Sequence, residues 1–385
     1  MDSAPGSARA LRHQSVIRSP YDLKSFSETG CFFVKPSRSY PGVTMQDVAD
    51  RAGVSPATVS RVLNDSSAVT PTTAGRVRQA VAALNFRPNL AGRSLRAART
   101  RSLGVMVPTL SNPVFAECLA GIEAAARAQQ HTLSLVTTGY QTAAEADAVE
   151  SLLRQRVDGL LLTVTDAARN RVLDRLDRDR VPYVLLFNQL ARAERPTVSV
   201  DNRAAARAAV EHLLALGHCA IRMVTGQFRQ SDRARLRYRG YGDALRAAGL
   251  APLPPLQLPF LAPDARLPLV EGLAARPRPT AFFCSNDLLA LTVIRDLRAL
   301  GRRVPDEVSV AGFDGIRIGA LTAPSLTTVE QPSEAIGRAA VELLLRRISG
   351  AAEAAPLILD YTLRKGGSTA ALAAHRAGTE PAPVI

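Results

Sequence analysis

A small all-α unit in front of a larger α/β core, built of parallel sheets flanked by helices, is the fold class that the sequence predicts. Three observations predict it. Residues 43–88 hold three short helical segments, each opened by a capping residue or a proline. From Ser102 onward, near-continuous apolar strands alternate with amphipathic helices, the pattern of parallel sheets covered on both faces. The strands are too many for one sheet, so the core divides in two. With 385 residues and about 150 per domain, about two to three domains are expected.

The elements follow in order. Residues 1–42 mix Ser, Pro and Gly without a sustained period and read as a disordered tail or a misassigned start. Thr44 can cap a first helix, with Asp47 reaching back to the cap and Gly53 ending it. Ser55 caps a second helix with Pro56 at its first position, running through Val59 and Leu63. Thr70 and Pro71 repeat the device for a third, where Val77, Ala80, Val81 and Leu84 form one apolar stripe. Strands are expected at Leu103–Val107, Thr132–Thr137, Gly159–Val164, Tyr183–Phe187, Ile221–Thr225, Ala281–Cys284 and Val308–Phe313, with helices such as Val114–Gln129, Arg203–Leu216 and Leu288–Leu300 between them. Polar residues gather just after strand ends, at Asn112, Asn188, Asn286 and Asp314, where open α/β sheets bind ligands. Residues 373–385 read as a loose tail.

Composition narrows the function classes. No apolar run reaches the ~18 to 20 residues of a membrane span, and residues 1–42 lack the apolar stretch of a secretory signal, so a soluble cytosolic protein is expected. Cys31, Cys118, Cys219 and Cys284 lie far apart with no CxxC pair, which predicts buried thiols and neither metal nor disulfide. The net charge of +14 favours a polyanionic partner, although 45 of the 48 basic residues are arginine, a skew that genome composition also produces. Position says more than the total. Residues 43–101 carry nine arginines against three aspartates, net +6, whereas residues 102–385 carry +5.

Segment 44–64, TMQDVADRAGVSPATVSRVLN, is a short helix, a tight Gly turn and a second short helix that is small or polar on one side. Ala49, Val54, Val59 and Val62 can share a mini-core, leaving Ser55, Ala57, Thr58, Ser60 and Arg61 outward. Small outward residues admit a helix to a major groove ~12 Å wide, hydroxyls bond phosphates, and an arginine pairs with guanine. The alternative is a helical hairpin with a solvated face.

That run, with Val69-Thr70-Pro71, the stretch Ala83–Asn89 and Ser94-Leu95, resembles the DNA-binding headpiece of the LacI/GalR family of bacterial repressors. LGVMVPTLSNPVFAECLAGIE, RVDGLLL, VEHLLALGH, RLRYRGYGDAL, FFCSNDLLAL, VPDEVSVAGFD and LTTVEQP extend the resemblance over about residues 43–368. VFAECLAGIE and DYTLRKGGST are similar to the gluconate-operon branch in particular. The resemblance implies a helix-turn-helix headpiece at 43–88, a hinge helix and linker at 89–101, and a two-subdomain core like periplasmic sugar-binding proteins. Its subdomains would be 102–200 with 329–356, and 201–328 with 357–372. It also implies a cytoplasmic, nucleoid-associated homodimer that reads pseudo-palindromic operator DNA.

Residue by residue, the resemblance places Arg61 on a base, Pro56 and Ala57 at two specificity positions, and Thr44, Ser55, Thr58, Ser60 and Asn64 on phosphates or groove edges. Asn89, Arg93, Leu95 and Arg96 would meet the DNA from the hinge, with Leu95 wedged into the minor groove or, alternatively, buried between domains. In the core it implies an effector cleft of Asn112, Phe115, Asn188, Asp201, Arg237, Asn286, Asp314 and Gln331. These suit a sugar or sugar acid, Arg237 clamping a carboxylate or phosphate. Arg233, Arg235 and Arg239 read mainly as a solvated charge run, and Asn112 and Asp201 serve equally well as loop caps. None of the nucleotide-binding, serine-hydrolase or zinc-protease motifs occurs, and the five histidines form no constellation, so neither catalysis nor a cofactor or metal is expected. The function implied is an effector-controlled, sequence-specific transcriptional regulator, most readily a repressor. A sugar-binding transport protein and a constitutive DNA binder are the rivals.

Overall fold

The computed structural model describes residues 43–63, 69–86, 100–190, 195–261, 266–350 and 355–372. The expected tails, the hinge helix over 89–99, and Asn64, Asn89, Arg93, Leu95 and Arg96 lie outside those residues. The chain divides after Asn89 into two compact units.

In the first unit, α1 (Met45–Ala52) starts at a complete capping box: Thr44 Oγ1 accepts from Asp47 N, and the Asp47 carboxylate accepts from Thr44 N at 2.7 Å. Those bonds hold the Asp47 carboxyl below its usual range. Gly53, in the left-handed region at φ 63°, ends the helix. Ser55 Oγ accepts from Thr58 N at 3.2 Å to open α2 (Pro56–Leu63). Pro71 begins α3 (Pro71–Ala83), but the Thr70 hydroxyl donates to Thr73 Oγ1 instead of capping the backbone. Val48, Ala49, Ala52, Val59, Val77, Ala80 and Phe86 close the core of this unit.

The second unit holds two six-stranded sheets in separate lobes. The first runs β2-β1-β3-β4-β5-β11, all parallel, from β1 (Ser102–Val107), β2 (Thr132–Thr137), β3 (Gly159–Leu162), β4 (Tyr183–Leu186), β5 (Thr197–Val200) and β11 (Leu357–Leu359). The second repeats that order as β7-β6-β8-β9-β10-β12, from β6 (Ile221–Gly226), β7 (Leu256–Leu258), β8 (Ala281–Cys284), β9 (Ser309–Asp314), β10 (Thr327–Glu330) and β12 (Thr362–Arg364), with only β12 antiparallel. In both, strand order reverses beside the first strand of the lobe, which makes its carboxyl end the natural ligand position. The seven expected strands are present within one or two residues. Among the described residues, no helix is long and apolar enough to cross a membrane.

The chain passes between lobes three times: after β5, between β10 and the helix Ser333–Ile348, and between β11 and β12. Two assignments differ from expectation. Val329 and Glu330 belong to the second sheet, and Leu357–Leu359 pairs with Thr197–Val200 in the first. Backbone ladders set these memberships, and a three-residue apolar run does not announce which sheet it joins.

Helix packing explains two glycines. α4 (Pro113–Ala128) crosses the long helix Ser333–Ile348 so closely that a Cβ on Gly337 would collide with the Cys118 carbonyl, and one on Gly121 with the Glu334 carbonyl. Neither neighbour is a flexible side-chain end. Gly337→Ala is therefore expected to destabilise the core by about 1–3 kcal/mol despite alanine's better helix propensity. Circular-dichroism melts check this, with a raised melting temperature as the contrary result.

Candidate functional site

In the small unit, Val59 is fully buried and turns the opposite face of α2 outward. Ser55, Ala57 and Arg61 are exposed, while Pro56, Thr58 and Ser60 are half-buried. Ser55 and Thr58 also share a hydroxyl hydrogen bond of 3.0 Å, so the two act as one polar edge. Thr44, Arg51, Arg76 and Arg78 are exposed on the same unit, which adds basic groups to its surface.

In the core, the carboxyl ends of the two sheets meet across a cleft. Asn112, after β1, caps α4 through Val114 N at 3.3 Å and reaches Asp314, at the end of β9, at 3.3 Å. Cap and cleft roles thus hold together. The cleft has an aromatic side where Phe115 meets Phe187 edge-on at 5.7 Å and Tyr140 stacks on Phe260 at 4.5 Å. The Phe260 ring occupies room left by Gly226, where a Cβ would collide with it. Tyr140, Phe187 and Asp314 line the cavity with positive φ of 60°, 64° and 120°. Such backbone strain persists only where surroundings enforce it, and it clusters at ligand sites. The cavity is tight: about 30 Å³ of it can take the centre of a water molecule.

The polar groups are tightly used. Arg237, on α8 (Asp232–Ala247), donates through Nε to Asn202 at 2.9 Å and through Nη1 to the Ser285 carbonyl and Asp314, while its guanidinium lies 3.6 Å over the Phe313 ring. Gln331 Nε2 also donates to Asp314, at 2.9 Å. At the start of α8, Asp232 bridges the lobes: its carboxylate accepts from Asn188 Nδ2 at 2.7 Å and Ala167 N at 3.1 Å. Arg233 donates to the Val164 carbonyl at 3.0 Å, and Arg235 pairs with Asp166 at 2.7 Å.

Burial dominates the electrostatics. It raises the carboxyls of Asp232 and Asp314 and lowers the Arg237 guanidinium, outweighing their pairing. Asp287, buried behind them, is pushed up to about 8 by burial and then by the charge of Asp314. Its unfolded carboxyl titrates near 3.9, so from there to about 8 the folded chain holds an extra proton, and stability is lost as pH rises. His212 and His218 run the other way. Burial lowers both below their ordinary 6.5, so stability is lost as pH falls from that value. Asp287→Asn is expected to lessen the fall in melting temperature as pH rises toward about 8, and His218→Gln to lessen the fall as pH drops below 6.5; an unchanged pH dependence in both variants would contradict these assignments.

Six of the eight expected cleft residues line the cavity: Asn112, Phe115, Arg237, Asn286, Asp314 and Gln331. Two do not. Asp201 caps the helix Asn202–Ala215 by accepting from Arg203 N and Ala204 N, and Asn188 is fully buried, its amide paired with both backbone groups of Val164 and with Asp232. Sequence reasoning missed Tyr140, Phe260, Ser231 and Arg233, all cavity-lining. The arginine run splits: Arg233 is buried, Arg235 half-buried and Arg239 exposed. Cys118 and Cys284 are buried as expected, but Cys219 is exposed, because it follows the turn at Gly217 instead of entering a strand.

Comparison with known proteins agrees with this architecture. Residues 44–89 match the family of bacterial regulatory proteins of the lacI type, and residues 210–369 match a periplasmic binding protein-like domain. The HTH-type transcriptional regulator GntR of Escherichia coli (strain K12) is 34% identical over 327 residues, 84% of this chain and 98% of the relative. The chain belongs to the LacI family of bacterial regulatory proteins. A second LacI-type relative, the HTH-type transcriptional repressor PurR of Aliivibrio salmonicida (strain LFI1238), is 34% identical over 308 residues, 79% of this chain and 92% of its own length. Among solved structures, the lac repressor dimer bound to operator and an anti-inducer is similar with a TM-score of 0.74 and 29% identity, covering 86% of this chain and 100% of that one. The CelR–cellobiose complex gives 0.62 and 30%, covering 85% and 99%. In this LacI-family regulator, the three-helix unit is the family's DNA-binding domain and the two-lobed unit its binding-protein-like core.

Proposed function

We propose that the chain is a homodimeric repressor whose hold on operator DNA is set by a small sugar or sugar acid in the cleft. The carrying observation is the joining, in one chain, of a basic three-helix unit with an exposed α2 to a core whose two sheets aim their carboxyl ends at one cavity. Arg61 would read a base, Pro56 and Ala57 would stand at the two specificity positions, Thr44, Ser55, Thr58 and Ser60 would meet phosphates or groove edges, and two copies would read a two-fold site. In the cleft, Asn112, Asn286, Gln331 and Asp314 offer hydroxyl partners beside the faces of Phe115 and Phe260. An effector controls DNA affinity only if it prefers one lobe closure over the other. The relatives support both halves: one is described with operator DNA and the other with cellobiose.

The test is selection of random duplexes by the full-length protein, followed by titration of the winning duplex against a panel of monosaccharides and their acids. Enrichment of an inverted repeat, with affinity shifted by at least one compound, is expected. Failure to enrich any sequence would overturn the reading.

A further inference from the structure

The sequence pointed to Arg237 as the clamp for an acidic effector, and the structure commits that residue elsewhere. Its Nε serves Asn202, its Nη1 serves Ser285 and Asp314, and one face is covered by Phe313. Arg233 lies one turn earlier on the same face of α8, equally buried at 5% exposure, and also lines the cavity. Only its Nη1 is engaged, with the Val164 carbonyl and, at 3.2 Å, with Asp232. Among the described residues, its Nε and Nη2 meet no acceptor. Those two nitrogens form one edge of the guanidinium, the fork that takes a carboxylate or phosphate through two parallel hydrogen bonds.

Charge points the same way. Asp232 does not line the cavity, and its second oxygen is turned to Asn188 and Ala167. On the wall itself Arg233 and Arg237 outnumber Asp314, while Asp232 pairs with Arg233 at 3.2 Å from outside the cavity. Two guanidiniums a turn apart in a buried site repel each other, which favours an anion bound between them. From this we infer that the effector carries a carboxylate or phosphate, and that Arg233 is the residue that reads it. The inference rests on the effector reading of the cleft and narrows it from neutral sugars to small anions.

The experiment is isothermal titration calorimetry of the full-length protein with glucose, galactose and ribose, each beside its aldonate and its phosphate ester. The variants are Arg233→Gln, Arg233→Lys and Arg239→Gln, the last removing the same charge from an exposed site on the same helix. At least one anion should bind about tenfold or more tightly than its neutral parent. Arg233→Gln should weaken that anion about 10- to 100-fold without changing the neutral parent, Arg233→Lys should keep part of the affinity, and Arg239→Gln should change nothing. Carboxylate against phosphate is decided by which arm binds. If Arg233→Gln does not fold, the partial loss in Arg233→Lys carries the test. Neutral sugars binding as tightly as their acids and esters, or anion affinity indifferent to Arg233, would overturn the inference while leaving the cleft an effector site. No heat from any compound would overturn both.

Discussion

Alanine in place of Arg61 is expected to leave a folded protein that still adheres to duplex DNA but no longer chooses among sequences. The side chain is exposed on α2, held out by the buried Val59 on the opposite face, so its loss should not disturb the headpiece core. A bidentate arginine contact to a base discriminates by about 1–3 kcal/mol, roughly 5- to 150-fold, and a two-fold complex loses it in both half-sites. Arg51, Arg76 and Arg78 remain exposed, and they sustain the salt-dependent, sequence-independent attraction to phosphates. Fluorescence anisotropy with the selected duplex and a scrambled one, at two salt concentrations, measures the ratio. An unchanged ratio would remove α2 from the reading of bases.

Arg237→Ala is expected to damage stability and effector response together. It leaves Asp314 buried without its ion-pair partner, removes the donor to the Ser285 carbonyl, and uncovers the Phe313 ring. Breaking one side of a buried ion pair typically costs about 3–5 kcal/mol. With about 2–4 °C per kcal/mol for a unit of this size, the melting temperature of the core should fall by about 6–20 °C. A double-mutant cycle separates the pair from general packing. Asp314→Ala alone should also be costly, and the double variant should lose less than the sum of the two. Strict additivity, read from denaturant melts, would show that the two side chains act independently.

Much of this was legible in the sequence because local chemistry was explicit. The Thr44–Asp47 cap, Gly53 and Pro71 mark helix ends by backbone geometry alone, and six of the seven expected strands show as apolar runs buried along nearly their whole length, Thr132–Thr137 at the sheet edge being partly exposed. The overlooked strands are short or carry hydroxyls. Thr197 and Ser199 are fully buried in β5 because their hydroxyls donate to the Asn188 and Phe187 carbonyls, and Thr328 in β10 does the same to Asp287. A pattern of apolar residues does not anticipate such internal satisfaction. Cleft residues directly after strands were legible for topological reasons. Tyr140 and Phe260 were not, since one depends on a strained turn and the other on the space above Gly226. Choosing among four arginines spaced along one helix required knowing which face packs against the opposite lobe.

Three separate stretches of backbone span the gap between the lobes: one joins a strand to a strand, and the other two join a strand of one lobe to a helix of the other. Shear of one lobe along the other would have to slip several ladders at once and turn every side chain on them to the wrong face. Tilting about a common axle strains only the few residues at Asp201, Gln331 to Pro332 and Asp360 to Tyr361. The output of the cleft is thus an angle, and its amplitude grows with distance from that axle, so the far rims of the lobes sweep the longest arc.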